Sequence, residues 1–287
     1  MKNIAIIGAT GLIGEPIAEA TLKLGHRCRV VTRGRTDHNA QTLDHLQQLG
    51  AEVHCGAPDD VAWMTEVLTD CDAVICAMGE EAIYGQVEYA ILEAALAAGV
   101  NRFVPNEFGL DTLRLPVGTG ALFDEKKKFQ AALQERGMPF TILFNGGIFD
   151  IFLPNLNFYE AITTFGNNLD VPFFTHSRSD LAMITLKAAL DPRCENQYIH
   201  LTENRFTQRK VLAILARNYP DLTFPKEHMP EDEICDGTHD VKKAVWIDGH
   251  AGQVDDRCLR ASDLFPEHPL ETVEQALGNP TFVLGHP

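Results

Sequence analysis

Three glycines near the N-terminus have the spacing of a phosphate-binding turn. They follow an apolar run at residues 4–7 and precede apolar residues that recur at helical spacing as far as Gly25. In such a strand–turn–helix, the first glycine permits the tight turn, the second lets backbone approach a pyrophosphate, and the third lets helix and strand pack closely. N–H groups at the helix N-terminus then face the phosphates. The predicted dinucleotide contacts are Gly8, Thr10, Gly11, Leu12, Ile13 and Gly14.

Two arginines indicate which dinucleotide is bound. A second strand is predicted over Arg27–Thr32, and Arg33 and Arg35 follow it where an NAD-preferring site would carry an acid on the ribose 2′-hydroxyl. The first acid comes only at Asp37. A guanidinium binds a 2′-phosphate through paired hydrogen bonds, whereas a carboxylate would repel it. The pattern favours NADP(H), with Arg33 as the main contact and Arg35 in support; the alternative is that both are solvated loop charges.

A lysine is the candidate for proton transfer. Residues 121–136 are predicted to form a helix, with Leu122, Phe129 and Leu133 on one face. Lys126 lies four residues after Leu122 and three before Phe129, so it falls on the same inward face. Burial there favours the neutral amine, which can donate or accept a proton during hydride transfer. The alternative is a lysine whose stem is buried and whose ammonium reaches water.

The commonest proton-transfer motif of short-chain dehydrogenases is missing. That motif is Y-x-x-x-K, and none of the five tyrosines has a lysine four residues later. A reductase with this sequence therefore needs another proton donor, such as Lys126.

Composition excludes several classes of partner. The 287 residues include 24 basic and 40 acidic residues, giving a net charge of −16. Nucleic acids and anionic membranes require a cationic face, so neither is an expected partner. No apolar stretch is long enough to span a bilayer. The seven cysteines form no C-x-x-C pair, which fits a reducing, cytoplasmic setting, and the histidines show no metal-ligand spacing, so no metal is expected.

The predicted elements alternate between strand and helix. Strands are predicted at 4–7, 27–32, 52–55, 73–77, 102–105 and 140–144, and helices at 39–49, 61–68, 85–98 and 121–136. This alternation predicts an α/β fold, a Rossmann-type doubly wound parallel sheet with ligands beyond the carboxyl ends of its strands. Residues 1–150 are predicted to form the NADP-binding domain. Residues 151–287 are mainly a smaller substrate domain, with part of 175–201 returning to the sheet.

Several longer stretches carry a family resemblance. They are GATGLIG (8–14), TRGR (32–35), RFVPNEFG (102–109), EKKKFQAALQERGMPFTIL (125–143), DPRCENQYIHL (191–201) and ASDLFPEHPLETVEQAL (261–277). In this order they resemble the isoflavone reductase-like branch of the atypical short-chain dehydrogenases. That branch includes phenylcoumaran benzylic ether and pinoresinol–lariciresinol reductases and the related NmrA-like proteins. The resemblance runs nearly from end to end.

The resemblance implies roles for particular residues. In the family, the glycine motif binds the NADPH pyrophosphate and an arginine after the second strand binds the 2′-phosphate. A lysine that opens a K-x-K helix shortly before G-[IM]-P is catalytic, and here that position is Lys126. The usual P-S-E-F-G reads PNEFG, with Asn106 in place of serine, and no second basic residue is evident in 39–49. The segment FNGGIFD (144–150) is closer to the microbial NmrA-like members.

Together these features predict an NADPH-dependent reductase of an aromatic or conjugated cyclic small molecule, with Lys126 as proton donor or acceptor. Further predicted cofactor contacts are Met78, Gly79, Pro105, Asn106, Phe108 and Asn145. The predicted substrate pocket comprises Gly146, Gly147, Ile148, Phe149 and Phe152. Two alternatives stay open: a non-catalytic NmrA-like sensor of NADP(H), and an NADP-dependent epimerase or dehydratase without net redox change. A homodimer is a candidate assembly.

Overall fold

The computed structural model describes residues 1–79, 83, 87–152, 163–225, 227–237 and 239–284. The chain divides into two compact units, each made of three stretches. The first unit comprises Met1–Phe108, Ala121–Leu143 and Leu181–Ile199. The second comprises Gly109–Gly120, Phe144–Asp180 and His200–Pro287. The predicted boundary was at residue 150, with part of 175–201 returning to the sheet. Residues 181–199 of the first unit lie within that returning stretch, whereas residues 109–120 of the second unit lie before the predicted boundary.

A five-stranded parallel sheet forms the centre of the first unit. Its strands are β1 (Asn3–Ile7), β2 (Arg27–Thr32), β3 (Glu52–Cys55), β4 (Ala73–Cys76) and β5 (Phe103–Val104). They lie in the order β3-β2-β1-β4-β5, and every pair is parallel. The apolar run of β1 is buried because neighbouring strands cover both its edges and helices cover the faces of such a sheet. The predicted α/β fold with a parallel sheet is confirmed.

Five of the described helices follow strands of this sheet along the chain. They are α1 (Gly14–Lys23), α2 (Ala40–Gln48), α3 (Val61–Leu68), α4 (Val87–Ala98) and α5 (Ala121–Glu135). The direction of winding reverses after β3, so right-handed crossovers place α1 and α2 on one face and α3 and α4 on the other. In agreement, α1 contacts α2, and α3 contacts α4. The switch point lies between β1 and β4, where such sheets bind ligands.

The remaining strands have five residues or fewer, and the remaining helices range from four to 13 residues. In chain order they are β6 (Thr141–Phe144), β7 (Gly147–Ile148), α6 (Phe149–Phe152), β8 (Thr163–Phe165), β9 (Pro172–His176), α7 (Arg178–Leu190), β10 (Gln197–His200), β11 (Arg205–Thr207), α8 (Gln208–Asn218), β12 (Glu227–Met229), α9 (Glu231–Ile234), α10 (Asp240–Trp246), β13 (Cys258–Arg260), α11 (Ala261–Leu264), α12 (Val273–Gly278) and α13 (Pro280–Leu284). Strand β10 is bonded to β6, and in the second unit β9 pairs with β7 and β11 while β12 pairs with β8. Among the described helices, none combines the length and the apolarity needed to cross a membrane.

Candidate active site

The glycine turn brings β1, α1 and the end of β4 into close approach. Gly8 has a φ of +85°, and a Cβ atom there would lie 2.4 Å from the carbonyl oxygen of Ala77. A Cβ atom at Gly14 would lie 2.2 Å from the carbonyl oxygen of Gly8. Both distances are too short for any side chain. These two positions require glycine because backbone occupies the space on the side where a Cβ would project.

The N-terminus of α1 has no side-chain cap among the described residues. Its N-cap residue is Ile13. The first N–H groups of a helix have no partner within the helix, and the helix dipole adds a partial positive charge at this end. This helix start therefore suits a phosphate.

A cavity of about 800 Å³ lies at the carboxyl ends of four strands. Its lining residues are Ile7, Gly8, Thr10 and Gly11 after β1; Val31, Thr32, Arg33, Gly34, Thr36 and Asn39 at β2; Pro58 and Asp59 after β3; Ala77, Met78 and Gly79 after β4; and Val87 of α4. Six predicted cofactor contacts are among them: Gly8, Thr10, Gly11, Arg33, Met78 and Gly79. The lining does not include Leu12, Ile13, Gly14, Arg35, Pro105, Asn106 or Phe108. Sequence reasoning missed Thr36, Asn39, Pro58 and Asp59.

The two predicted arginines have different surroundings. Arg33 is exposed and lines the cavity. Arg35 is bound to α2 instead: its Nη1 lies 2.6 Å from Asp44 Oδ1, and its Nη2 donates to Gln47 Oε1 at 2.7 Å. The sequence predicts that Asp44 and Gln47 lie on the helix that follows Arg35. Whether they contact Arg35 depends on the conformation of the intervening loop, which the sequence pattern does not predict.

Lys126 is buried on the inner face of α5. It is 8% exposed, and its Nζ donates a hydrogen bond to the carbonyl oxygen of Glu107 at 3.0 Å. By contrast, Lys127 is half-buried, and Lys128 is exposed and paired with Glu125 at 2.6 Å. The predicted inward orientation of Lys126 is confirmed.

A buried carboxyl that sequence reasoning missed holds the turn beside Lys126. Glu88 is 5% exposed, and its Oε1 accepts the backbone N–H of Asn106 at 2.6 Å. The side-chain amide of Asn106 donates to the carbonyl oxygen of Met78 at 2.8 Å, and Gln130 donates to Glu107 Oε1 at 2.9 Å. Burial raises the pKa of Glu88 from 4.5 to about 8.

The spacing of apolar residues along the predicted helix could have indicated that Glu88 is buried. Ile91, Leu92 and Ala95 follow it at i+3, i+4 and i+7, and all three are buried. An acidic residue on the apolar face of a predicted helix is unusual enough to be noticed.

The remaining predicted residues lie in the second unit. Asn145 is buried, its side-chain amide donates to the carbonyl oxygens of Gly146 and Gly147 at 3.2 and 3.1 Å, and its own carbonyl oxygen lies 3.0 Å from His176 Nδ1. Gly146 has a φ of +64°. Gly147 and Ile148 form β7, Phe149 is buried, and the side chain of Phe152 lies outside the described residues. Their roles as cofactor contact and substrate pocket stay predictions.

Known proteins resemble this chain along almost its whole length. A phenylcoumaran benzylic ether reductase of Pinus taeda is 28% identical over 307 residues, which cover 97% of this chain and 98% of the relative. An isoflavone reductase homologue of Nicotiana tabacum is 30% identical and covers 96% of each chain. A crystal structure of isoflavone reductase superposes with a TM-score of 0.83 at 26% identity, covering 96% of this chain and 98% of that one.

A complex of leucoanthocyanidin reductase with NADPH, from Vitis vinifera, has the same fold, with a TM-score of 0.84 at 24% identity over 96% of this chain and 98% of that one. The sequence profile of the NmrA-like family matches residues 1–244. The resemblance predicted from the motifs is confirmed, and the chain belongs to the NmrA-like family.

Proposed function

We propose that this protein is an NADPH-dependent reductase of an aromatic or conjugated cyclic small molecule. The observation that carries the proposal is the cavity at the switch point, which combines the glycine turn with an exposed arginine. The named reductases among its relatives support the same activity.

The residues of the cavity fit this cofactor. Gly8, Thr10 and Gly11 would hold the pyrophosphate at the start of α1, and Arg33 would bind the 2′-phosphate. The close backbone contacts at Gly8 and Gly14 support such a cradle, because a side chain at either position would disrupt it. When bound, NADPH supplies a hydride.

Lys126 is the residue proposed to handle the proton. Its Nζ has one described acceptor, the Glu107 carbonyl oxygen, whereas an ammonium can donate three hydrogen bonds. Burial excludes most water from the amine, which makes proton exchange with a bound molecule more effective than exchange with solvent.

The test uses NADPH deuterated at the transferred position together with a phenylcoumaran benzylic ether, an isoflavone and a cyclic enone. We expect consumption of NADPH and one deuterium in the product. Tight binding of NADPH without turnover of any substrate would instead favour the sensor. Conversion without net oxidation and without deuterium in the product would favour the epimerase or dehydratase. Failure of NADPH to bind would overturn the proposal and both alternatives.

The cellular setting is part of the same proposal. All seven cysteines are free, and Cys28, Cys71, Cys76 and Cys194 are buried. Unpaired thiols in this number suit the reducing cytoplasm. A homodimer is the proposed assembly, and a measurement of mass in solution tests it.

A further inference from the structure

A continuous set of contacts connects helix α4 to Lys126 within the first unit. It begins at Glu88, whose Oε1 accepts the backbone N–H of Asn106 at 2.6 Å. The carbonyl group of Glu107 lies two peptide units further along the chain, and that carbonyl accepts the Lys126 hydrogen bond at 3.0 Å. The Glu88 carboxyl therefore fixes a peptide that a single intervening peptide unit connects to the one that holds the lysine.

The turn between these contacts is tightly constrained. The N–H of Glu107 donates to the carbonyl oxygen of Pro105 at 2.8 Å, and the side chain of Asn106 is bound to Met78. A turn with so many bonds transmits a displacement at Asn106 to the carbonyl of Glu107. Loss of the Glu88 carboxyl would also leave the buried N–H of Asn106 without its acceptor, which is costly.

We propose that Glu88 is a positioning residue for Lys126: its carboxyl fixes the turn of residues 105–107, and its ionisation changes the electrostatic environment of the lysine amine. This inference rests on the proposed function only in that Lys126 is the proposed proton-transfer residue.

The charge of Glu88 changes within an accessible pH range. Burial raises its pKa to about 8, and nearby Glu107 acts in the same direction. The Asn106 N–H, the Lys126 ammonium and the Cys76 thiol act in the opposite direction. Helix α3 also packs against α4, and its acidic residue, Glu66, is exposed. Below about pH 8 the carboxyl is neutral, and above it a buried negative charge favours the protonated lysine.

The reactivity of the Lys126 amine in the 287-residue chain should therefore depend on the charge of Glu88. Trace acetylation with acetic anhydride from about pH 6 to about pH 10, read by mass spectrometry, compares Lys126 with the exposed Lys128 as internal reference. We expect the labelling ratio of Lys126 to Lys128 to fall by about threefold or more through pH 8, because only the neutral amine reacts. Glu88→Gln keeps an acceptor for the N–H of Asn106 but has no charge to gain. In this variant the fall in the labelling ratio near pH 8, the labelling step, should be absent. Glu93→Gln is the matched control, since Glu93 is a half-buried residue of the same helix that pairs with Arg136.

A step that persists in folded Glu88→Gln protein would overturn the inference. If that variant does not fold, the infrared band of a protonated carboxylic acid is measured in the wild type instead. This band should disappear with the same pH midpoint as the labelling step. A band that stays constant would refute the inference. Neither measurement needs NADPH or a substrate, so failure here is distinguishable from failure of the proposed function. Where a substrate is found, Glu88→Gln should alter the pH profile of kcat while leaving the Kd for NADPH unchanged.

Discussion

At the scale of single residues, burial distinguishes one lysine from two neighbours of the same type. Lys126 is enclosed and bound to a backbone carbonyl, whereas Lys128 lies at the surface. Periodicity alone predicted this difference, because the apolar residues of α5 define its inner face. Its bond to Glu107 was beyond prediction, since the two residues meet only after the strand and helix have packed.

Replacing Lys126 by alanine should lower kcat by about 10²- to 10⁴-fold, the usual contribution of a positioned acid or base. The Kd for NADPH should not change, because Lys126 is not among the cavity-lining residues. Steady-state oxidation of NADPH and fluorescence titration measure the two quantities. Lys128→Ala is the matched control and should keep full activity; equal turnover in both variants would remove Lys126 from the reaction.

Replacing Arg33 by glutamine should weaken NADPH binding by about 10- to 100-fold, because hydrogen bonds to a charged group contribute about 1.5–3 kcal/mol. Binding of NADH, which lacks the 2′-phosphate, should stay unchanged. Arg35→Gln should change either Kd by less than about fivefold, since that guanidinium is occupied by Asp44. Calorimetric titration with both cofactors checks this, and an equal loss for NADH would assign Arg33 a structural role.

At the scale of elements, local sequence predicted most of the first unit. Strand β2, strand β3 and helix α3 have the predicted bounds, because apolar runs and helical periodicity depend on near neighbours. Strand β5 is shorter than predicted, Phe103–Val104 instead of 102–105. Pro105 has no N–H to continue the ladder. The predicted helix 85–98 is described from Val87, and its first two residues lie outside the described part of the chain.

The contact between β1 and α1 predicts the effect of a single methyl group. Gly14→Ala should reduce the free energy of unfolding by about 1–3 kcal/mol and weaken NADPH binding, because the new Cβ displaces the helix from the turn. Urea unfolding and cofactor titration provide the readouts. Gly278→Ala is the control: nothing lies within 4 Å of its Cβ position, so stability should be kept or slightly increased. Equal stability of the two variants would contradict the close packing.

At the scale of the whole molecule, the division into units was the hardest feature to predict. Residues 181–199 belong to the first unit and lie within the stretch 175–201, part of which was predicted to return to the sheet. The assignment of residues 109–120 to the second unit was not predicted, because it depends on contacts between distant parts of the chain, which local periodicity does not encode. Glu88 lies in the first unit and His200 in the second, and burial shifts their pKa values in opposite directions.

The stability of the chain should depend on pH through these two groups. Burial raises the pKa of Glu88 from 4.5 to about 8 and lowers the pKa of His200 from 6.5 to about 4. The contribution of Glu88 to the free energy of unfolding is therefore fully present below pH 4.5 and is lost as pH rises to about 8. The His200 contribution is present above pH 6.5 and is lost as pH falls to about 4. Each group changes the free energy of unfolding by at most about 1.4 kcal/mol per pH unit. Between pH 4.5 and 6.5 the effects of Glu88 and His200 on stability have opposite signs.

Variants separate the two contributions. Relative to wild type, Glu88→Gln should gain stability with rising pH, and His200→Gln should gain stability with falling pH, in urea unfolding across this range. Glu93→Gln changes a half-buried residue and His38→Gln an exposed one, and both variants should follow the wild-type curve. A pH dependence unaltered by either buried substitution would show that other groups control it.

The interleaving of the two units also bears on how such a chain can diversify. Because each unit is assembled from three alternating stretches, a single recombination break anywhere in the gene divides at least one of them. A single crossover between paralogues therefore cannot give a chain whose first unit comes whole from one parent and whose second unit comes whole from the other.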